Sequence, residues 1–284
     1  PPMEYEGEKY YVKPMNCPMH MMVYKSALRS YKDLPVRIAE NATVYRYAQT
    51  GELLGMTRVR YITQDDSHIF CRENQVIDEF VGVIDYTMFL LKSFSIKDFY
   101  LRLSLRDPEN KDKYLGSDKV WKEAETKIEE AVIKAGLTPK KAYGEAAFYG
   151  PKLDVMVKDS LGREWQCGTI QVDFMLPERF KLEYIDNKGN KKRPVLIHRA
   201  PLGSLERWVG LLIEHYAGAF PVWLSPVQVK VLPITERNLE YAGEVTEELK
   251  NQEIRAEVDD RNETLQAKIR DAQLEKIPYM LVVG

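Results

Sequence analysis

The sequence predicts a mixed α+β fold, an antiparallel sheet flanked by helices and followed by a smaller α/β unit. Three observations lead there. Residues 35 to 49 (PVRIAENATVYRYAQ) and 56 to 64 (MTRVRYITQ) are extended runs separated by the loop TGELLG, the pattern of a long antiparallel hairpin. Residues 152 to 174 (KLDVMVKDSLGREWQCGTIQVDF) repeat that pattern around a DSLG turn. Beyond residue 227 strand-like and helix-like segments alternate, as in a parallel α/β unit.

In chain order, residues 18 to 31 (PMHMMVYKSALRSY) have helical spacing and stop at the DLP of 33 to 35. Basic and apolar residues alternate in MTRVRYITQ, so its arginines are expected on one strand face. VRYITQDDSHIF (59 to 70) then places Gln64, Asp65, Asp66 and His68 between that strand and the opening of a helix expected over 74 to 94. FYLRLSL reads as a strand, and SDKVWKEAETKIEEAVIKAG as a helix capped by Ser117 or Asp118 and closed by Gly136. EYIDNKGNKKRP is a charged hairpin whose basic cluster reads as a solvated turn. RPVLIHRA is strand-like, and GSLERWVGLLIEHYAG is an apolar helix entered through glycine and bounded by Gly218. FPVWLSP, with Pro221 and Pro226, marks a boundary between domains at 1–222 and 223–284. Past it come VQVKVLPI, a helix over 236 to 250, EIRAEVDD, a helix over 263 to 275, and PYMLVVG. Three strands are few for such a sheet, so this second unit is expected to be incomplete.

With 284 residues and 44% hydrophobic side chains, the chain can bury a sizeable core, and its length suggests about two domains. Charge interrupts every apolar run before the ~18 to 20 residues of a membrane span, and PPMEYEGEKYYV lacks a signal-peptide core. A cytoplasmic chain without membrane attachment is expected. An odd cysteine count, Cys17, Cys71 and Cys167, argues against a disulfide framework. A net charge of −2 excludes a protein basic all over, so a nucleic-acid partner would need a local surface.

Cys17 in KPMNCPMH, His68 in the stretch above and His198 in PVLIHRAPLGS are candidate metal ligands. Thiolate and imidazole suit zinc, and three protein ligands leave a fourth position open. No CxxC or HExxH spacing accompanies them. The alternative is Cys17 packed as a small hydrophobe, with each histidine satisfying a core hydrogen bond. An alternating arginine on a strand can equally be a solvated edge.

Taken in order, MNCPMH, VYRYAQTGELLGMTRVRYITQDDSHIF, GEAAFYGPKLD, EWQCGTIQVDF and LIHRAPLGSLERWVG resemble the catalytic domain of the threonyl-tRNA synthetases, a class II aminoacyl-tRNA synthetase family. The resemblance extends over residues 8 to 284. It implies that Cys17, His68 and His198 bind one Zn²⁺ per chain. It implies a threonine pocket of Gln64, Asp66, Tyr149, Cys167 and Gln171, in which Asp66 accepts the hydroxyl proton and the metal takes the amino and hydroxyl groups. A site built to bind a hydroxyl rejects the analogue lacking it by ~10⁴ to 10⁵, which separates threonine from valine. The resemblance also implies ATP contacts from Arg46, Arg58, Gln166, Thr169, Ser204 and Arg207, with Mg²⁺ accompanying ATP. Arg46, Arg207 and Lys152 take the catalytic roles, in which positive charge neutralises what builds up on the α-phosphate.

The partners so implied are L-threonine, ATP and tRNA(Thr), in a homodimer. Residues 227 to 284 resemble the start of an anticodon-binding domain. They hold 12 acidic against 8 basic residues, a net of −4, so recognition there is expected to read unstacked bases rather than attract phosphates. The first domain is expected to lack its N-terminal part and the second its C-terminal part. Three positions depart from the family pattern: Ala48 where glutamate is common, Ile62 where phenylalanine is common, and Met19 where many members have glycine. The first two bear on adenine binding. Two other readings remain: a regulatory or binding paralogue that keeps the threonine and ATP sites without charging tRNA, and a zinc hydrolase. The arginine set and the lack of a general base beside the metal weigh against the hydrolase.

Overall fold

The computed structural model describes residues 3–284, which fall into two units, one ending at Leu211 and the other running from Leu212 to Gly284. In the first, a hairpin of β1 (Met3–Tyr5) and β2 (Glu8–Tyr10) precedes α1 (Cys17–Lys25). Pro18 opens α1, where its missing N–H would have had no helical partner. This helix is shorter than the expected 18 to 31. The long hairpin follows as β3 (Val36–Tyr45) and β4 (Tyr61–Cys71).

After β4 the chain forms α2 (Val76–Ser93), β5 (Phe99–Leu105), α3 (Asp118–Lys134), β6 (Lys140–Tyr143), β7 (Lys152–Lys158) and β8 (Glu164–Asp173). A short α4 (Leu176–Arg179), the small hairpin of β9 (Tyr184–Ile185) and β10 (Lys191–Lys192), β11 (Val195–Ala200) and α5 (Leu205–His215) follow, and the division between the two units falls within α5. Seven strands form one sheet in the order β3-β4-β11-β8-β7-β5-β6, antiparallel throughout except for β5 with β6.

Helix periodicity explains how the sheet is covered. α2 buries Val76, Phe80, Val83, Ile84, Thr87 and Leu91, and α3 buries Trp121, Ala124, Ile128, Ala131 and Val132, each set one face of a 3.6-residue turn. α1 is anchored separately, with Met21 and Tyr24 packed among Phe70, Leu182 and Leu196 and the Tyr24 ring stacked on Phe70 at 4.5 Å. Burying each such side chain contributes about 1.5–3 kcal/mol, and the cluster fixes the helix that carries Cys17.

The return strand differs from expectation. β4 begins at Tyr61 rather than 56, because Leu54, Gly55 and Arg58 form a tight turn closed by an Arg58 N–H bond to the Leu54 carbonyl. Arg58 and Arg60 therefore lie before the strand. β4 also runs on to Cys71, so the polar residues 64 to 68 sit inside a strand and not between a strand and a helix. Pairing with β3 throughout, and with β11 from Ser67 onward, keeps that polar stretch extended.

The second unit contains β12 (Val229–Pro233), α6 (Leu239–Asn251), β13 (Ala256–Val258), α7 (Leu265–Leu274) and β14 (Tyr279–Val283). Its three strands are parallel, in the order β13-β12-β14, around a core of Val229, Val231, Ala242 and Ala256. Thr264 caps α7 by accepting the Ala267 N–H. Among the described residues no helix is long and apolar enough to cross a membrane.

Candidate functional site

Strand register assembles the site. Residues directly opposite one another on paired strands present their side chains to the same face. One row therefore runs His68 on β4, His198 on β11, Gln171 on β8, Lys152 on β7 and Ser104 on β5. Two residues along, a second row holds Ala200, Thr169, Asp154 and Arg102, while Asp66 lies opposite Glu40 of β3. β8 carries a bulge in which Gly168 faces Val155 and Gln166 faces Met156, leaving Cys167 unpaired. The extra residue shifts the alternation, and Gln166 reaches the face of Thr169, donating from Nε2 to its Oγ1 at 2.9 Å.

At one end of the first row α1 brings Cys17 to the two histidines. The Cys17 Sγ and one nitrogen of each ring lie within 4.8 Å of one another, with Sγ 3.5 Å from His198 Nδ1. Sulfur and nitrogen ligands ~2.0–2.3 Å from one tetrahedral ion stand roughly 3.3–3.6 Å apart, so the cluster needs little adjustment to hold zinc. His68 Nε2 is buried and has no hydrogen-bond partner among the described residues, as suits a nitrogen aimed at a cation. His198 Nε2 is 2.9 Å from Asp173 Oδ2, and Asp173 also accepts the Met175 and Leu176 N–H groups that open α4. His68 Nδ1 is 2.7 Å from His20 Nδ1, and His20 Nε2 is 3.1 Å from Glu40 Oε1. Burial, together with the His198 and His20 rings, holds His68 well below the usual histidine range. Burial also pushes His198 down, but Asp173 and Cys17 outweigh it and raise the group to about 10.

A cavity of about 200 Å³ opens beside this cluster, with Cys17, His198, Gln64, Asp66, Tyr149 and Gln171 in its wall. The Tyr149 hydroxyl donates to Gln171 Oε1, and Asn16 Nδ2 donates to Asp66 Oδ2 at 2.9 Å. Burial raises the Asp66 carboxyl above the usual range and lifts the Tyr149 phenol as well, so the hydroxyl stays protonated. Cys167, expected in the same pocket, is buried at the bulge outside this wall, its thiol pushed up to about 12 by burial.

A second cavity, of about 220 Å³, is lined by Arg58, Ser204 and Arg207 together with Ala48 and Ile62. Arg46 lines both cavities. Arg207 is held firmly: its Nε donates to the Thr57 carbonyl at 2.8 Å and its Nη1 to the Gln166 carbonyl at 2.7 Å, beside the Trp165 ring. Ser204 caps α5, accepting the Arg207 N–H at 3.3 Å. The loop before it is pinned by Asp65, which accepts the Leu202 and Gly203 N–H groups, each at 3.1 Å; burial nevertheless raises the Asp65 pKa to about 6. Gly203 has φ +67°, and a Cβ there would lie 2.0 Å from the Cys167 carbonyl oxygen.

Lys152 and Gln166 line neither cavity. They meet at Asp154, which is fully buried. Its Oδ1 accepts from Gln166 Nε2 and Thr169 Oγ1, both at 2.9 Å, and its Oδ2 from Ser104 Oγ at 2.8 Å, Lys152 Nζ at 2.9 Å and Arg102 Nη2 at 3.1 Å. Arg102 also donates to Gln166 Oε1 at 3.2 Å. An acceptor-only group at one end of the Gln166 amide and a donor-only group at the other fix its orientation.

Sequence reasoning missed His20, Glu40, Asp154 and Asp173. Three of them carried a signal. His20 lies three residues beyond Cys17 in a segment of helical spacing, and Asp154 and Asp173 lie two residues beyond Lys152 and Gln171 in strands, so each shares a face with a predicted site residue. Glu40 comes to the cluster through the pairing of β3 with β4, which the sequence does not print.

A family profile described as the tRNA synthetase class II core domain (G, H, P, S and T) matches residues 3–216, and one described as an anticodon-binding domain matches residues 228–284. The chain is 59% identical over 279 residues to the threonine–tRNA ligase of Parabacteroides distasonis, covering 98% of this chain and 43% of the relative. It is 57% identical over 283 residues to that of Deinococcus deserti, covering 100% and 44%. The chain thus spans less than half the length of these curated relatives. Among solved structures, one titled as the RNA-binding domain of the threonyl-tRNA synthetase of Cryptosporidium parvum superposes with a TM-score of 0.93 at 42% identity, covering 100% of this chain and 70% of that one.

Proposed function

The chain belongs to the class II tRNA synthetases, in the threonyl-tRNA synthetase family, and from that premise we propose that it activates L-threonine with ATP and passes the threonyl group to tRNA(Thr). One observation carries the reading: Arg46 stands in the walls of two adjoining cavities, one beside the Cys17, His68 and His198 cluster and the other among Arg58, Ser204 and Arg207. A guanidinium at that junction can bind the threonine carboxylate and the α-phosphate together, holding nucleophile and electrophile in reach.

Attack of the carboxylate on the α-phosphate displaces pyrophosphate, and the developing negative charge falls where Arg46 and Arg207 can neutralise it. Arg207 is suited to this because its fixed guanidinium loses little freedom on binding. Arg58, exposed and 3.7 Å from Glu52, is free to turn toward the phosphate tail, with Mg²⁺ sharing its charge. Gln166, Thr169 and Lys152 act from the Asp154 cluster, the first two positioning the nucleotide. Cys17, His68 and His198 would hold a zinc ion, which supplies a ligand position for the threonine amine and alcohol. Asp66, its carboxylate steadied by Asn16, accepts the alcohol proton, and Gln64, Tyr149 and Gln171 close the pocket around the side chain. The 228–284 segment contributes to holding tRNA, the full-length enzyme works as a homodimer, and its place is the cytoplasm.

Threonine-dependent exchange of pyrophosphate into ATP tests the reading. Exchange with threonine, less with serine and none with valine is expected. Threonine binding without exchange would replace this function with that of a regulatory paralogue.

A further inference from the structure

His68 is a ligand candidate with two nitrogens, and the protein decides which one is offered. Glu40 Oε1 lies 3.1 Å from His20 Nε2, and a carboxylate only accepts hydrogen bonds, so His20 Nε2 carries a proton. A neutral His20 then has a bare lone pair on Nδ1. His68 Nδ1, 2.7 Å away, must supply the hydrogen of that contact. With its proton on Nδ1, His68 is left with a lone pair on Nε2, the buried nitrogen that has no partner among the described residues.

The other imidazole is set the opposite way. Asp173 Oδ2 takes the His198 Nε2–H directly, leaving Nδ1 to face Cys17 Sγ. The two histidines thus present different nitrogens, one oriented by a fully buried carboxylate and the other through an intervening ring that ends on a carboxylate 44% exposed. His20 is itself 4% exposed and meets the His68 ring edge-on at 4.8 Å, so it has little room to adopt another contact.

We propose that His20 and Glu40 are positioning residues of the metal centre, a relay that fixes the tautomer and aim of His68 so that it binds through Nε2. Partners that orient a metal-bound histidine typically alter affinity by 10- to 100-fold when removed. This inference rests on the reading of Cys17, His68 and His198 as a zinc site.

The test measures zinc affinity of the whole chain by competition with a chromophoric chelator. His20→Leu should weaken zinc binding ~10- to 100-fold, whereas His20→Gln, whose carbonyl can still accept the His68 Nδ1–H, should recover most of it. Glu40→Ala should have a smaller effect in the same direction. Cys17→Ser serves as the control. If the parent binds zinc, Cys17→Ser loses it, and folded His20→Leu stays within threefold of the parent, the relay is wrong and the metal reading stands. If the parent binds no zinc, both fall. Nitrogen-15 spectra of histidine-labelled parent with zinc give a measurement that does not depend on a variant folding, and the chain has four histidines to resolve. His68 should show a protonated Nδ1 and a metal-shifted Nε2; the reverse pattern overturns the proposal.

Discussion

Replacing Asp154 by alanine removes the one carboxylate on which Lys152, Arg102, Ser104, Gln166 and Thr169 converge. The Lys152 side chain is 11% exposed and that of Arg102 20%, so neither charge can recover full hydration. Breaking such a buried pair from one side costs ~3–5 kcal/mol. Arg102 retains Gln166 Oε1 at 3.2 Å and Glu145 at 4.0 Å, which places the loss near the lower end, about 3 kcal/mol. For a unit of this size that corresponds to a fall in melting temperature of roughly 6–12 °C. Asp154→Asn keeps one acceptor oxygen but turns an NH₂ toward donors, and should fall between parent and alanine. Adding Lys152→Met to Asp154→Ala should recover part of the loss, because the stranded charge goes with it. Thermal unfolding followed by circular dichroism reads all four proteins. An alanine variant melting within about 3 °C of the parent would show that this carboxylate does not balance the buried cations.

Three further outcomes follow from other parts of the site. Asp65 has a folded pKa raised to about 6 from an ordinary 3.8, so the proton is held more tightly in the folded state; its contribution to stability is full below about 3.8 and is lost as pH rises through about 6. Unfolding measured from pH 3.5 to 7.5 should show a decline on the order of 3 kcal/mol from this group, absent in Asp65→Asn, and an identical profile in that variant would contradict it. Gly203→Ala forces a Cβ to 2.0 Å from a backbone carbonyl at a positive φ, so the loop must move; a loss of ~1–3 kcal/mol with a raised KM for ATP is expected, and unchanged stability and KM would count against the close packing. Arg46→Lys keeps the charge but not the two-pronged geometry, and should lower kcat for threonine-dependent pyrophosphate exchange by ~100-fold; a change under threefold would remove Arg46 from the junction.

The sequence displayed the strand and helix order well where a pattern repeats over many residues, as in the 35 to 64 hairpin, the two main helices and the α/β alternation beyond 227. It was least legible at β4. From Asp66 to Cys71 consecutive residues are buried on both faces of the sheet, so no solvent-facing alternation marks the strand, and a run such as QDDSHIF then resembles a strand end. The grouping of Cys17, His68 and His198 was legible because the surrounding motifs are distinctive, while their spacing alone was weak evidence. The bulge at Cys167 was hidden for a related reason: one extra residue changes which side chains share a face, and neither glycine nor proline chemistry announces it unambiguously. β6 is four residues long at the sheet edge, too short for periodicity to register.

The row that joins β4, β11, β8 and β7 has an arithmetical consequence for how this protein can change over generations. Side chains alternate with a period of two, so one residue inserted or deleted between Gln64 and Asp66, if the rest of the pairing held, would turn Gln64 to the far side relative to Asp66 and His68. Lengthening the turn at 159 to 162 or the connection at 46 to 60 does no such harm. Substitutions can therefore accumulate through much of the sheet, but its strand lengths work as a gauge: a gene copy that gains or loses a single codon between Gln64 and Asp66 forfeits the alignment in one event unless a bulge like that of β8 absorbs it.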